Sequence, residues 1–175
     1  GAGAAEHFGL TDKTAFIMGT FSKSLASVGG FIAADDDLIH YLKHKSRALI
    51  FSASLPPAST ASVLAALEIM RSEPERIQRL WDNTHYMLQE FKAMGFNTGD
   101  SNTPVIPLHV GTMMTAFQMW KRLGEEGVFI NPVVPPAVPP NSCLIRTSFM
   151  ATHTREQLDF ALEKFRLVGK EIKAI

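Results

Sequence analysis

Charge is scarce in these 175 residues. Lys plus Arg number 17 and Asp plus Glu 17, so the formal net charge is zero, and charged residues make up only 19%, below the roughly 25% of a typical soluble domain. A broad phosphate-binding face needs a basic excess, so this balance speaks against a nucleic-acid partner. Cysteine is nearly absent. The single Cys143 excludes an intrachain disulfide and a cysteine-rich zinc centre, and it fits a reducing compartment. No apolar run approaches the roughly 20 residues of a membrane-spanning helix. The start, Gly1-Ala-Gly-Ala-Ala-Glu6-His7, has no basic segment followed by an apolar core and does not read as a secretory signal. It also lacks an initiator methionine, which points to a processed product or a piece of a longer chain. Internal repeats are missing, and the one biased tract is a proline-rich loop.

What is present is ample apolar material. Hydrophobic residues reach 46%, enough for one compact domain or two small ones and too many for a disordered chain. Low charge together with 12 Phe and 8 Met implies apolar surface meant for a partner. Thr14 to Phe21 reads as a short buried strand and Phe31 to Ala34 as a second. Asp35, Asp36 and Asp37 suit a helix start. Ser52 to Pro57 is a turn signal and the candidate domain boundary. Helices follow over Ala58 to Met70 and from Pro74 to a stop at Gly95. Val105 to Val110 reads as an edge strand because of Pro107. Thr112 to Leu123 predicts a helix with Met113, Phe117, Trp120 and Leu123 inward, and Val128 to Ile130 a short strand. Asn131 to Pro140 predicts an extended loop. Cys143 to Phe149 reads as a strand. Thr154 with Gln157 is a capping-box signal, and Leu158, Leu162, Phe165 and Val168 run along one helix face. The order is mixed α/β.

Lys23 is the sharpest chemical feature. It follows an apolar strand, with hydroxyls at Thr20, Ser22 and Ser24 and glycines at 29 and 30. A lysine held there and partly desolvated can act as an amine nucleophile. Hydroxyls and free N–H groups in a small-residue turn suit a phosphate. Together they describe a Schiff-base lysine beside a phosphate cradle, although a lysine in a serine-rich turn is more often a solvated side chain. Other polar residues read blandly on their own. Ser52 and Ser54 shape a turn before the prolines. Arg146 alternates with Ile145 in a strand, and a surface ion pair is its default. His153 reads as a helix-start residue. His40 and His44 have metal-ligand spacing but no third ligand, so no metal site is expected. Met113, Met114, Met119 and Trp120 read as core or packing surface.

The segments Gly19-Thr20-Phe21-Ser22-Lys23-Ser24 and Val28-Gly29-Gly30-Phe31 resemble the cofactor-lysine region of the α-oxoamine synthases, fold-type-I pyridoxal-phosphate enzymes that join an amino acid to an acyl-CoA with loss of carbon dioxide. Ala5-Glu6-His7-Phe8-Gly9, Ile50 to Pro57, Leu80-Trp81-Asp82-Asn83, Leu144 to Ser148 and Ala151-Thr152-His153-Thr154 extend the resemblance, in order, over nearly the whole chain. The Thr-Phe-Ser-Lys-Ser wording and the Pro135-Pro136-Ala137-Val138-Pro139 loop are similar to members that use L-serine and palmitoyl-CoA in the first step of sphingolipid synthesis. Some of those carry an arginine where this chain has Val134.

The resemblance implies an α/β fold: the C-terminal part of a fold-type-I transferase, with residues 1–52 ending the large cofactor-binding domain and 53–175 forming a small α/β domain. It implies pyridoxal 5'-phosphate as cofactor. Lys23 would bond its aldehyde and move protons at the substrate α-carbon. Thr20 and Ser22 would bind its phosphate, Ser52 would reach the phosphate of a partner subunit in a homodimer, and Arg146 would hold the amino-acid carboxylate, for which its planar fork is suited. It places the enzyme in the cytoplasm, with peripheral attachment to the inner membrane left open. It also implies that a preceding part supplies an aspartate, a histidine and a glycine-led phosphate turn, and that this polypeptide alone does not turn over. Glycine with acetyl-CoA is the near alternative pair. A non-catalytic association domain is the alternative of another class.

Overall fold

A computed structural model describes residues 3–175. Contacts divide the chain into two compact units between Glu73 and Pro74. That division falls after the helix that follows Ser52 and the paired prolines.

The first unit contains α1 (Ala4–His7), β1 (Phe16–Thr20), β2 (Gly30–Ala34), α2 (Asp36–Lys45), α3 (Arg47–Ile50) and α4 (Pro57–Ser72). β1 and β2 form an antiparallel pair running from Phe16 opposite Ala34 to Thr20 opposite Gly30. Both expected strands therefore form, but the first is not the buried strand its sequence suggests: Phe16 and Met18, like Phe31 and Ile32 of β2, remain exposed among the described residues. An apolar run without alternation is the pattern of a strand covered on both faces, and a two-stranded pair covers neither. Asp35 takes the N-cap position of α2 without a side-chain capping bond, while Asp36 and Asp37 charge the first turn. Pro56 and Pro57 open α4, where a missing N–H is harmless.

The second unit contains α5 (Glu75–Met94), β3 (Val105–Gly111), α6 (Met113–Glu125), β4 (Asn131–Val133), β5 (Cys143–Ser148) and α7 (Arg155–Glu171). Its antiparallel sheet has the order β3-β5-β4, so the proline-bearing β3 is an edge strand, as its sequence predicts. α5 ends at Gly95 with φ of 96°, a left-handed stop that glycine adopts without a Cβ clash. Thr154 and Gln157 form the reciprocal capping box of α7. The core is built from Met87 and Phe91 of α5, Ile106 and Leu108 of β3, Met119 and Leu123 of α6, Ile145 of β5, and Leu158, Leu162, Phe165 and Val168 of α7. Phe91, Phe96 and Phe165 meet edge-to-face, with centroids 5.0 to 6.1 Å apart.

Two expectations are corrected here. α6 buries Ala116, Met119 and Leu123, leaving Met113, Phe117 and Trp120 exposed at 53%, 41% and 44%. The helix carries two adjacent apolar faces with helical spacing, and periodicity alone does not choose between them. The short strand lies at Asn131–Val133, inside the expected loop, and not at Val128–Ile130. Val128 and Ile130 are buried and Phe129 is 89% exposed, so that stretch alternates like a strand without pairing. Pairing begins where Asn131 comes opposite Arg146, and Pro132 is accepted because β4 is an edge.

Candidate functional site

The loop Phe21–Gly29 joins β1 to β2 and carries Ser22, Lys23 and Ser24 at its start. The amide of Phe21 donates to Gly29 O at 2.9 Å and that of Ser27 to Phe21 O at 2.9 Å, closing the loop at its base. A smaller turn lies within it, with Ala26 N donating to Lys23 O at 3.0 Å and Ala26 at φ of 51°. Thr20 Oγ1 and Ser22 Oγ are 2.9 Å apart, and the Ser22 amide donates to Thr20 Oγ1 at 3.3 Å. The N–H groups of Lys23 and Ser24 have no acceptor among the described residues. The loop thus gathers two hydroxyls, two free amide donors and one amine, the donor set of an anion cradle. Lys23 is exposed, so the described residues do not supply the desolvation that its sequence context suggests.

Neighbouring atoms crowd the glycines here, and at Gly30 the neighbour is backbone. A Cβ on Gly19 would fall 2.2 Å from the Phe31 ring, and one on Gly30 would fall 2.6 Å from Gly19 O across the strand pair. Gly29, at φ of 111°, lies beneath Leu55, whose Cδ2 would be 2.5 Å from an added Cβ. The Ser27 hydroxyl donates to Ser59 O at 3.3 Å. The segment after Ser52 therefore packs on the lysine loop. Ser52 itself is exposed, and its hydroxyl donates back to Ala48 O within α3. Thr20 and Ser22 are brought together, with Lys23 next in the chain; Ser52 makes no hydrogen bond to them among the described residues.

Arg146 stands in the second unit, in the middle of β5. Ile145 and Thr147 on either side are buried, and Arg146 points to the opposite face. The Thr147 hydroxyl donates to Ile106 O at 2.9 Å and anchors the strand to β3. The default ion pair is not found: Arg146 has no side-chain hydrogen bond or ion pair among the described residues. It lines a cavity of about 680 Å³ together with Ser148, His153, Gln157, Phe129 and Phe160. Apolar walls with a few converging polar groups and one unpaired cation suit an organic anion. Glu156, also on the wall, is held below the usual carboxylate range by its own backbone N–H and the Thr154 hydroxyl at the helix start.

The turn after β5 is tied by a residue given no role from sequence. Asn83 Nδ2 donates to Met150 O at 3.0 Å and to His153 O at 3.1 Å, and the Met150 amide donates to His153 Nδ1 at 3.3 Å. A half-buried Asn in the interior of a long helix is the signal that could have marked it, since Asn is disfavoured there unless its amide has a partner to bond. His40 and His44 sit on α2 with rings 4.3 Å apart, and His44 Nδ1 bonds its own helix at His40 O. No group of three metal-ligating residues occurs among the described residues.

The sequence matches the family described as aminotransferase class I and II over residues 1–165. A serine palmitoyltransferase of Sphingobacterium spiritivorum is 55% identical over 171 residues, covering 98% of this chain and 43% of that protein. An 8-amino-7-oxononanoate synthase of Thermosipho melanesiensis is 44% identical over 175 residues, covering 100% of this chain and 45% of that protein. A solved structure of SPT with PLP internal aldimine superposes with a TM-score of 0.93 at 32% identity, over 99% of this chain and 44% of that one. The chain spans less than half the length of the curated relatives it matches.

Proposed function

The chain belongs to the aminotransferase class I and II family, and on that footing we propose that it is the C-terminal part of a pyridoxal-phosphate acyltransferase that condenses L-serine with palmitoyl-CoA. The products are 3-ketodihydrosphingosine, CoA and carbon dioxide. The observation that carries this reading is Lys23, exposed in a hairpin loop among hydroxyls and free amides, in a chain 55% identical to a serine palmitoyltransferase. The lower identity of 44% to an 8-amino-7-oxononanoate synthase favours serine palmitoyl transfer over that branch.

The residues present fit the cofactor. Thr20, Ser22 and the Lys23 and Ser24 amides are donors suited to its phosphate, and the Lys23 amine suits its aldehyde. Gly30 keeps the cradle open where a Cβ would strike Gly19 O at 2.6 Å. When bound, the cofactor supplies an electron sink for the negative charge left on the amino acid's α-carbon. Lys23 Nζ would hold the cofactor through its aldehyde carbon and, once the serine amine has displaced it, would be free to take the proton from the α-carbon of serine. Arg146 holds the serine carboxylate through two parallel N–H···O bonds. Ser52 reaches the phosphate bound by the partner subunit of a homodimer. Residues 1–52 end the large domain and the small domain begins at 53, with α4 as the connecting helix that packs against the lysine loop through Ser59.

The test is CoA release by the full-length subunit supplied with pyridoxal phosphate, L-serine and palmitoyl-CoA. Turnover that disappears in Lys23→Ala, together with loss of the cofactor's protein-bound absorbance band, supports the reading. Turnover that survives Lys23→Ala removes it. The chain of 175 residues alone is expected to release no CoA.

A further inference from the structure

We propose that Asn83 is a positioning residue for the substrate carboxylate: its amide fixes the cavity wall beside Arg146 by bonding two carbonyls of the β5–α7 turn. This rests on the role proposed for Arg146. Carbonyl oxygens only accept, so the atom facing Met150 O at 3.0 Å and His153 O at 3.1 Å must be the amide nitrogen, and both of its hydrogens are used. The third tie is internal to the turn, where the Met150 amide donates to His153 Nδ1 at 3.3 Å. The Phe149 and His153 rings meet edge-to-face, with centroids 6.4 Å apart. Both side chains line the same cavity as Arg146.

The geometry explains why a helix delivers this contact. α5 packs against α7 through buried Met87 and Phe91, so Asn83, one turn before Met87, reaches the residues that lead into α7. Thr147 already pins β5 to β3 at Ile106 O. Asn83 pins the chain immediately downstream, and the strand that carries Arg146 is then held on its C-terminal side by two independent elements. An arginine fork discriminates by angle as well as distance, so a wall that drifts loosens carboxylate binding before it affects the bond-breaking step. Among uncharged side chains only Asn and the longer Gln offer two donors from one nitrogen, and Asn does so from the shorter stem.

Asn83→Asp is the sharpest test, because it keeps the shape and replaces the donor by an acceptor facing two carbonyls. Asn83→Ala serves as the second variant should the first fail to fold, and Gln78→Ala, which removes an exposed bond to Asp82 on the same helix, is the control. Hydrogen exchange on the full-length subunit is expected to quicken at least about tenfold in the 149–154 segment for either Asn83 variant and not for the control. The KM for L-serine is expected to rise about tenfold with kcat within about twofold. Unchanged exchange overturns the tie itself. Faster exchange with unchanged KM overturns the positioning role. If the unmutated subunit shows no acyl transfer, the proposed function fails, while the exchange comparison still decides the tie.

Discussion

Arg122 on α6 and Glu171 on α7 share two hydrogen bonds, Nε to Oε1 at 2.9 Å and Nη2 to Oε2 at 3.0 Å. The same guanidinium reaches Glu125 at 2.7 Å and Glu126 at 3.4 Å, and Lys164 closes the group on Glu126 at 3.5 Å. One planar fork thus ties the end of α7 to α6. Arg122 holds the Glu171 carboxyl below its usual value of 4.5. A carboxyl depressed in the folded state contributes stability above that value, and the contribution fades as pH falls through the folded value. Glu171→Gln is therefore expected to lower the melting temperature at pH 7 and to leave it unchanged at a pH below the folded value. Melting curves across the acid range check this, and an equal loss at every pH would contradict it.

The aromatic trio anchors the second unit. Phe91 is fully buried between Phe96 and Phe165. Phe91→Ala should destabilise this unit by about 3–5 kcal/mol, from lost transfer energy plus the cavity left behind. Urea denaturation followed by tryptophan fluorescence measures it; a loss under about 1 kcal/mol would show that the neighbouring rings collapse into the space.

Two neighbouring residues on α6 should behave oppositely. Met119 is fully buried and Trp120 is 44% exposed. Met119→Ala is expected to cost about 2–5 kcal/mol, and Trp120→Ala less than about 1 kcal/mol. The reverse ranking in thermal unfolding would mean that α6 is rotated about its axis.

Gly30→Ala tests the lysine loop without touching its donors. The added Cβ would lie 2.6 Å from the Gly19 carbonyl oxygen, a backbone atom that cannot swing aside. The strand pair must open at its loop end, moving Thr20 away from Ser22 and Lys23. Equilibrium dialysis of the full-length subunit with pyridoxal phosphate should show affinity lowered by about tenfold or more, while Ala33→Gly, in the same strand and away from the loop, should bind normally.

Much of this was legible in the linear chain because local physics enforces it. The α7 capping box needs only Thr154 and Gln157 three residues apart, and the stop of α5 needs only a glycine at position 95 able to take a positive φ. The buried stripe of α7 follows from unbroken helical spacing. Thr20 and Ser22 meet because they lie two residues apart at the start of a turn, and Lys23 follows them directly. The inward face of α6 is ambiguous in the sequence because two apolar stripes lie side by side, and the strand at Asn131 is not legible there because its proline argues against a strand until the partner edge is known.

What the order of residues determined alone is therefore the longer helices, the cap of α7, the stop of α5 and the chemical content of the lysine loop, all governed by interactions within a few residues. Only tertiary packing decided that Leu55 closes over Gly29, that Arg146 is left unpaired in a cavity wall among the described residues, and that Asn83 grips a turn far along the chain at Met150 and His153. These depend on which faces meet when apolar surface is removed from water, and that choice belongs to the whole fold and not to any short segment.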